Sequence, residues 1–209
     1  AFIAADVRDI ERSLSALCYG VEIVVLDADS DGIGQIAEIL RHPTGVDAIH
    51  IFSHGSSGSL ALGGPELDAQ TMDTVYRADL NAIGQSLTVE GDILIYGCDF
   101  ALGDRGGEAV AILAGLTGAD VAASSDKTGH TDLGGDWLLE VQAGTVEGKT
   151  LNAGAAWLGV LAPQTIISHE SNIADIDHHD PIASDAVVVQ TFQHNSGSAT
   201  YEIDQVDLV

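Results

Sequence analysis

The chain has 209 residues, 45% of them hydrophobic, and sets 32 acidic side chains against 7 basic ones for a net charge of −25. That length supports one sizeable core plus an extension, and that charge disfavours nucleic-acid backbones and anionic lipid surfaces as partners. No apolar run reaches the roughly 18 residues read as a membrane helix, and Cys18 and Cys98 are too few for a disulfide scaffold.

Taken in chain order, Phe2–Val7 reads as a strand already inside a domain, as expected of a piece of a longer protein. Asp9–Cys18 carries Ile10, Leu14 and Leu17 at helical spacing, with Cys18 as buried packing near its end. Val21–Leu26 is a buried strand, and Ile33–Leu40 is a short amphipathic helix closed by His42-Pro43. A β-branched run from Ala48 then ends in Ser53-His54-Gly55. Ser59–Leu62 and Glu66-Leu67, around Gly63-Gly64-Pro65, predict a small hairpin on the sheet edge.

Asp68–Leu87 predicts one helix, with Met72, Val75, Tyr76, Leu80 and Ile83 on one face. A second apolar strand from Asp92 ends in Tyr96-Gly97-Cys98-Asp99. A glycine-rich loop, a helix over Glu108–Leu116 and a strand over Ala119–Ala123 follow. Trp137–Val141 and Thr145–Val146 predict a second hairpin around Ala143-Gly144. Strand–helix alternation of this kind implies a parallel sheet covered on both faces. The first domain spans 1–160. Beyond Pro163 the composition turns to Asp, His and Ser, so 161–209 reads as an acidic linker or the start of a following module.

In a parallel sheet the carboxyl ends of strands share one edge, where open α/β sheets place their sites. His54 and Cys98 both fall there. An imidazole can ionise a thiol and then serve as its counter-charge, the minimum for a cysteine nucleophile. Gly55 and Gly97 let the main chain approach a substrate carbonyl, and amides at Gly55 and Cys98 can hold an oxyanion. Asp99 and Asp104 act against a thiolate. The alternative is a hydrogen-bonded strand-end histidine beside an inert thiol. Ser124-Ser125-Asp126 follows a further strand to the same edge. Asp99, Ser125 and Asp126 are therefore the candidate substrate pocket, one that favours Arg or Lys before the scissile bond.

A second pattern competes. Asp27, Asp29, Asp31 and Gly32, with Glu38 at the twelfth position, fit the calcium-loop spacing D-x-D-x-D-G-x5-E. The other reading of these aspartates is as caps at a helix N-terminus. The cysteine chemistry needs no cofactor, and calcium is the one ion that the spacing suits. Asp175–Asp180, with His178 and His179, reads as solvated linker. Serine hydrolysis is set aside because no G-x-S-x-G elbow is present.

The two strand endings, Ile49–Gly55 with His54 and Ile93–Cys98 with Gly97, resemble the caspase-like cysteine peptidases. More narrowly, Val24–Asp27, Ile49–Leu62, Asp92–Ala101, Thr117–Gly129 and Gly134–Trp137 resemble the DUF4347 domain of very large bacterial surface and adhesin-like proteins. The likeness covers nearly all of residues 1–160. It implies an α/β fold, a caspase-like three-layer sandwich with a mostly parallel sheet and helices on both faces. It implies His54 as general base, Cys98 as nucleophile, and hydrolysis of a polypeptide, the parent chain itself, in a secreted or cell-surface bacterial protein. The rival class is a non-catalytic, calcium-stabilised interaction or spacer module of an extracellular adhesin.

Overall fold

The computed structural model describes residues 1–162 except Tyr19 and Pro43; the expected linker beyond Pro163 and its Asp175–Asp180 segment lie outside the described residues. The first half of the chain forms β1 (Phe2–Ile3), α1 (Ile10–Leu17), β2 (Val24–Val25), α2 (Gly32–Ile39), β3 (Val46–Phe52), β4 (His54–Ser56), β5 (Ser59–Ala61) and β6 (Leu67–Asp68). Then come α3 (Ala69–Asp73), α4 (Arg77–Ser86), β7 (Leu87–Ile95), α5 (Gly103–Thr117), β8 (Asp120–Ala123) and β9 (Val141–Ala143).

Six strands form one sheet in the order β2-β1-β3-β7-β8-β9, parallel throughout except for β9 against β8. Its central strands are buried on both faces, which is why Ile49–Phe52 and Ile93–Ile95 read as continuous apolar runs rather than alternating ones. The chain steps from β1 out to β2, returns past β1 to β3, and continues to β7 and β8. Right-handed crossovers therefore set α1 on one face and α2, α4 and α5 on the other, where those three pack together. The protein is an α/β three-layer sandwich.

The α1 face is completed by irregular chain. Trp157 Nε1–H donates to the Arg8 carbonyl at 3.0 Å, and the Leu151 amide donates to the Tyr96 hydroxyl at 2.7 Å. Phe52 stacks on Tyr96 with ring centroids 4.3 Å apart, and Trp137 and Trp157 extend that aromatic layer. This layer ties the segment after β9 to the sheet.

Four elements differ from the sequence reading. The buried strand expected over 21–26 is the two-residue edge strand β2, with Val25 52% exposed. The expected helix 68–87 is two helices. Thr74 turns its hydroxyl onto the Gln70 carbonyl, and Tyr76 leaves the helical path to donate its hydroxyl to the Pro65 carbonyl from a fully buried position. The glycine-rich loop is instead the first turn of α5, where burying Ala109, Val110 and Leu113 against the sheet outweighs the poor propensity of glycine. The second hairpin does not form, because β9 pairs antiparallel with β8 and Thr145–Val146 joins no strand. The first hairpin does form, as β5 against β6, and gains β4 as a third strand.

Candidate active site

His54 does not end a strand of the main sheet. After β3, Ser53 fixes its hydroxyl on the Ala61 and His54 carbonyls, and the chain peels off into β4, where His54 pairs with Ala61 and Gly55 with Leu60. This ribbon crosses the end of β7. A Cβ on Gly55 would lie 2.8 Å from the Cys98 carbonyl oxygen and 2.9 Å from the Gly97 carbonyl carbon. Gly97 faces Leu60 just as closely, with 2.2 Å between its notional Cβ and Leu60 Cδ2. The two sequence motifs thus meet main chain to main chain, and only glycine permits it.

The thiol itself is enclosed. Cys98 is 0% exposed, its Sγ accepting from the Thr128 amide at 3.2 Å and donating to the Thr128 carbonyl at 3.6 Å. Burial pushes the thiol up to about 11, and the charge of Asp99 adds to this, while the Thr128 and Leu161 amides pull the other way. His54 is buried too, and neither ring nitrogen has a hydrogen-bond partner among the described residues, Sγ included. It borders a cavity of about 410 Å³ whose walls come from Asp6–Asp9, after β1, and from Ala156–Val160. The cavity sits where the strand order reverses between β1 and β3, the crevice such sheets use for ligands.

The stretch Trp157–Leu161 covers this rim. The Gly159 carbonyl accepts from the His130 amide at 2.9 Å, and the Leu161 amide donates to the Thr128 carbonyl at 2.9 Å. The Leu161 carbonyl accepts from the Gly55 amide at 3.2 Å, so the expected oxyanion donor is already engaged by the chain's own carbonyl. Thr128 Oγ1, like the His54 nitrogens, is buried without a partner. Buried polar atoms in this condition are rare in folded proteins and concentrate where a ligand or water completes them.

The candidate pocket residues gather beside Cys98. Asp99 holds φ at +59° and donates its amide to the Asp126 carbonyl at 2.7 Å, while Ser125 donates both amide and hydroxyl to Glu140. Asp126, Asp136 and Glu140 bring carboxylate oxygens within 4.8 Å of one another. Partial burial, followed by the charges of Glu140, Asp136 and Asp99, raises the Asp126 carboxyl above its ordinary range. Sequence reasoning missed Thr128, Leu161, Asp136 and Glu140. No spacing marks them, since each reaches the rim only through the path taken after β8.

The calcium-loop residues are not brought together. Asp31 caps α2, accepting from the Ile33 and Gly34 amides. Asp27 accepts from the Asp29 amide, and Glu38 pairs with Arg41. Among the described residues, no three of Asp27, Asp29, Asp31 and Glu38 converge to ligand spacing. Gln35 reaches back to the Asp27 and Ser30 carbonyls and closes the turn, the geometry of the capping reading. Cys18 packs against the core as expected but is only half-buried, and it borders a separate cavity of about 1120 Å³ at the opposite rim.

Fold and site together define a doubly wound α/β domain with a cysteine and a histidine enclosed at the switch-point rim. The chain belongs to the family described as "Domain of unknown function (DUF4347)", whose model matches residues 1–160. No curated protein and no solved structure matches it.

Proposed function

We propose that the domain is a latent cysteine peptidase of the caspase-like kind that cuts its own chain, with the Leu161–Ala162 bond as the one presented. The observation that carries this reading is the Leu161 carbonyl resting on the Gly55 amide, while the Leu161 amide lies close enough to Cys98 to act on its thiol. A scissile carbonyl needs this arrangement, sulfur on one side and backbone donors at its oxygen.

In the reaction His54 takes the Sγ proton as sulfur attacks the Leu161 carbonyl carbon. The oxyanion draws on the amides of Gly55 and Cys98. The bond to Ala162 breaks as His54 returns its proton to the Ala162 nitrogen, and water then hydrolyses the thioester to free the thiol. The resting thiol is held protonated by burial and clamped by Thr128. The step therefore waits for Sγ to leave Thr128 and for water to reach the rim. The preferred residue before the bond is apolar rather than basic, because the side chain presented, Leu161, is fully buried.

One observation favours a second reading, a non-catalytic interaction or spacer module: the thiol is enclosed and no His54 nitrogen bonds to it. Intact-mass spectrometry of the reduced full chain, between about pH 6 and pH 9 where such dyads work, separates the two. The peptidase yields residues 1–161 and 162–209, and neither fragment appears in Cys98→Ala or His54→Ala. A parent chain that stays whole throughout, or a Cys98→Ala chain cut equally fast, leaves the spacer reading standing.

A further inference from the structure

We propose that Asp92, Asp120 and Glu147 form a calcium site at the amino rim of the sheet. Asp92 and Asp120 are register partners on adjacent strands β7 and β8, and Glu147 arrives on the chain that follows β9. One carboxylate oxygen from each lies within 4.8 Å of the others, a span bridged by two calcium–oxygen bonds of about 2.4 Å each.

Proximity alone would mean little, since carboxylates crowd any protein of this charge. Asp92 makes the difference. It is only 1% exposed, and its two oxygens are treated unequally. Oδ2 accepts from the Glu147 amide at 3.1 Å and the Gly148 amide at 2.7 Å, whereas Oδ1 is buried with no partner among the described residues. No Lys, Arg or His side chain among the described residues pairs with any of the three carboxylates. A buried carboxylate is retained when it is paired or coordinates a metal, and this one is not paired.

The surrounding chain is shaped to bring the carboxylates in. Gly144, at φ +92°, leaves Asp120 Oδ1 the space its own Cβ would fill at 1.7 Å, and a Cβ on Gly148 would lie 3.0 Å from Asp92 Oδ2. The donor set is oxygen only, which selects a hard cation over zinc or copper. Asp92 and Glu147 also line the cavity of about 1120 Å³, so an ion has a solvent path to them. Bound there, calcium fastens the strap after β9 to the two strands beneath it.

The test is calcium titration of the chelator-treated full chain by calorimetry, with melting temperature as the second readout. The expected result is one saturable site and a higher melting temperature in millimolar calcium than in chelator. Asp120→Asn and Glu147→Gln, both on partly or fully exposed side chains that leave the core intact, each weaken binding by at least about tenfold, a typical loss when one group of a metal site is removed. Asp31→Asn and Asp136→Asn, in the other two acidic groups, leave it unchanged. Asp92→Asn, which keeps the buried volume, no longer responds to calcium. A melting temperature indifferent to calcium, magnesium and manganese overturns the proposal, as does a calcium response that survives the Asp120→Asn/Glu147→Gln double variant.

Discussion

Each rim of the sheet gathers three carboxylates, and the protein treats the two sets differently. At the carboxyl rim, Asp126, Asp136 and Glu140 sit at the surface. Two of them accept from nearby loop groups, Glu140 from Ser125 and Asp136 from the Leu138 amide. The buried polar atoms left unpaired there belong to His54 and Thr128, groups that can pass or bind a proton. At the amino rim the unpaired atom is a carboxylate oxygen, Asp92 Oδ1, which can only accept, from a hydrogen-bond donor or a cation. Under the two proposals, the same fold prepares one edge for proton transfer under cover and the other for an ion.

The sharpest way to break the carboxyl-rim half of this contrast is Gly55→Ala. The added methyl meets the backbone of Gly97 and Cys98, which cannot swing aside, so the ribbon must lift from β7. The expected loss is about 3 kcal/mol of stability, the upper end for overpacking, together with all self-cleavage. Chemical denaturation measures the first and intact mass the second. A variant that folds and cuts like the parent removes the main-chain contact from the argument.

Next in size is an acid effect on the other half. His50 lines the amino-rim cavity, accepts from or donates to the Tyr96 hydroxyl at 3.2 Å, and is held by burial at about 4 against an ordinary 6.5. Its folded value is depressed, so the unfolded chain binds the proton first and stability falls as pH drops from about 6.5 towards 4. By pH 5 the loss is about 2 kcal/mol, 1.5 units at 1.36 kcal/mol each. Denaturation midpoints at pH 7 and pH 5 for the parent and for His50→Gln check this. Equal acid sensitivity in both would assign the effect elsewhere.

These two residues also show what was legible in the sequence. The strands carrying His50, His54 and Cys98 stood out because parallel central strands are apolar on both faces, and the glycines beside His54 and Cys98 announced close approach. The fold class followed, and so did the close approach of main chain at the two glycines. The enclosure of Cys98 did not, because it depends on Thr128 and Leu161, contributed by irregular chain far along the sequence. The calcium spacing is ambiguous for a related reason. A turn from strand to helix needs aspartates to cap amides, and that local need produces the same letters as a ligand loop.

The cover over Cys98 can be weakened alone. Leu161→Gly removes a fully buried side chain from the rim while keeping the carbonyl, so water reaches the thiol and its value falls from about 11 towards the ordinary 9.0. Labelling by a thiol reagent at pH 8 should quicken by at least about tenfold, since one unit of pKa is tenfold in thiolate. Leu158→Gly, at a residue 70% exposed, is the matched control. Equal labelling of both variants would mean that Leu161 is not what encloses the sulfur.

The smallest effect expected is at Asp126. Its carboxyl is raised, so the folded state prefers the protonated form, and Asp126 opposes folding wherever it is charged in both states. Asp126→Asn should therefore stabilise the domain at pH 7, and the gain should shrink as pH falls below the raised value. The side chain is mostly solvated, which limits the gain to under about 1 kcal/mol and makes it fade with salt. The matched change Asp92→Asn at the amino rim should instead abolish the rise in melting temperature that calcium gives the parent. If Asp92→Asn keeps the parent's calcium response while salt erases the Asp126→Asn gain, the two rims carry only repulsion, and the contrast between a proton-transfer edge and an ion-binding edge fails.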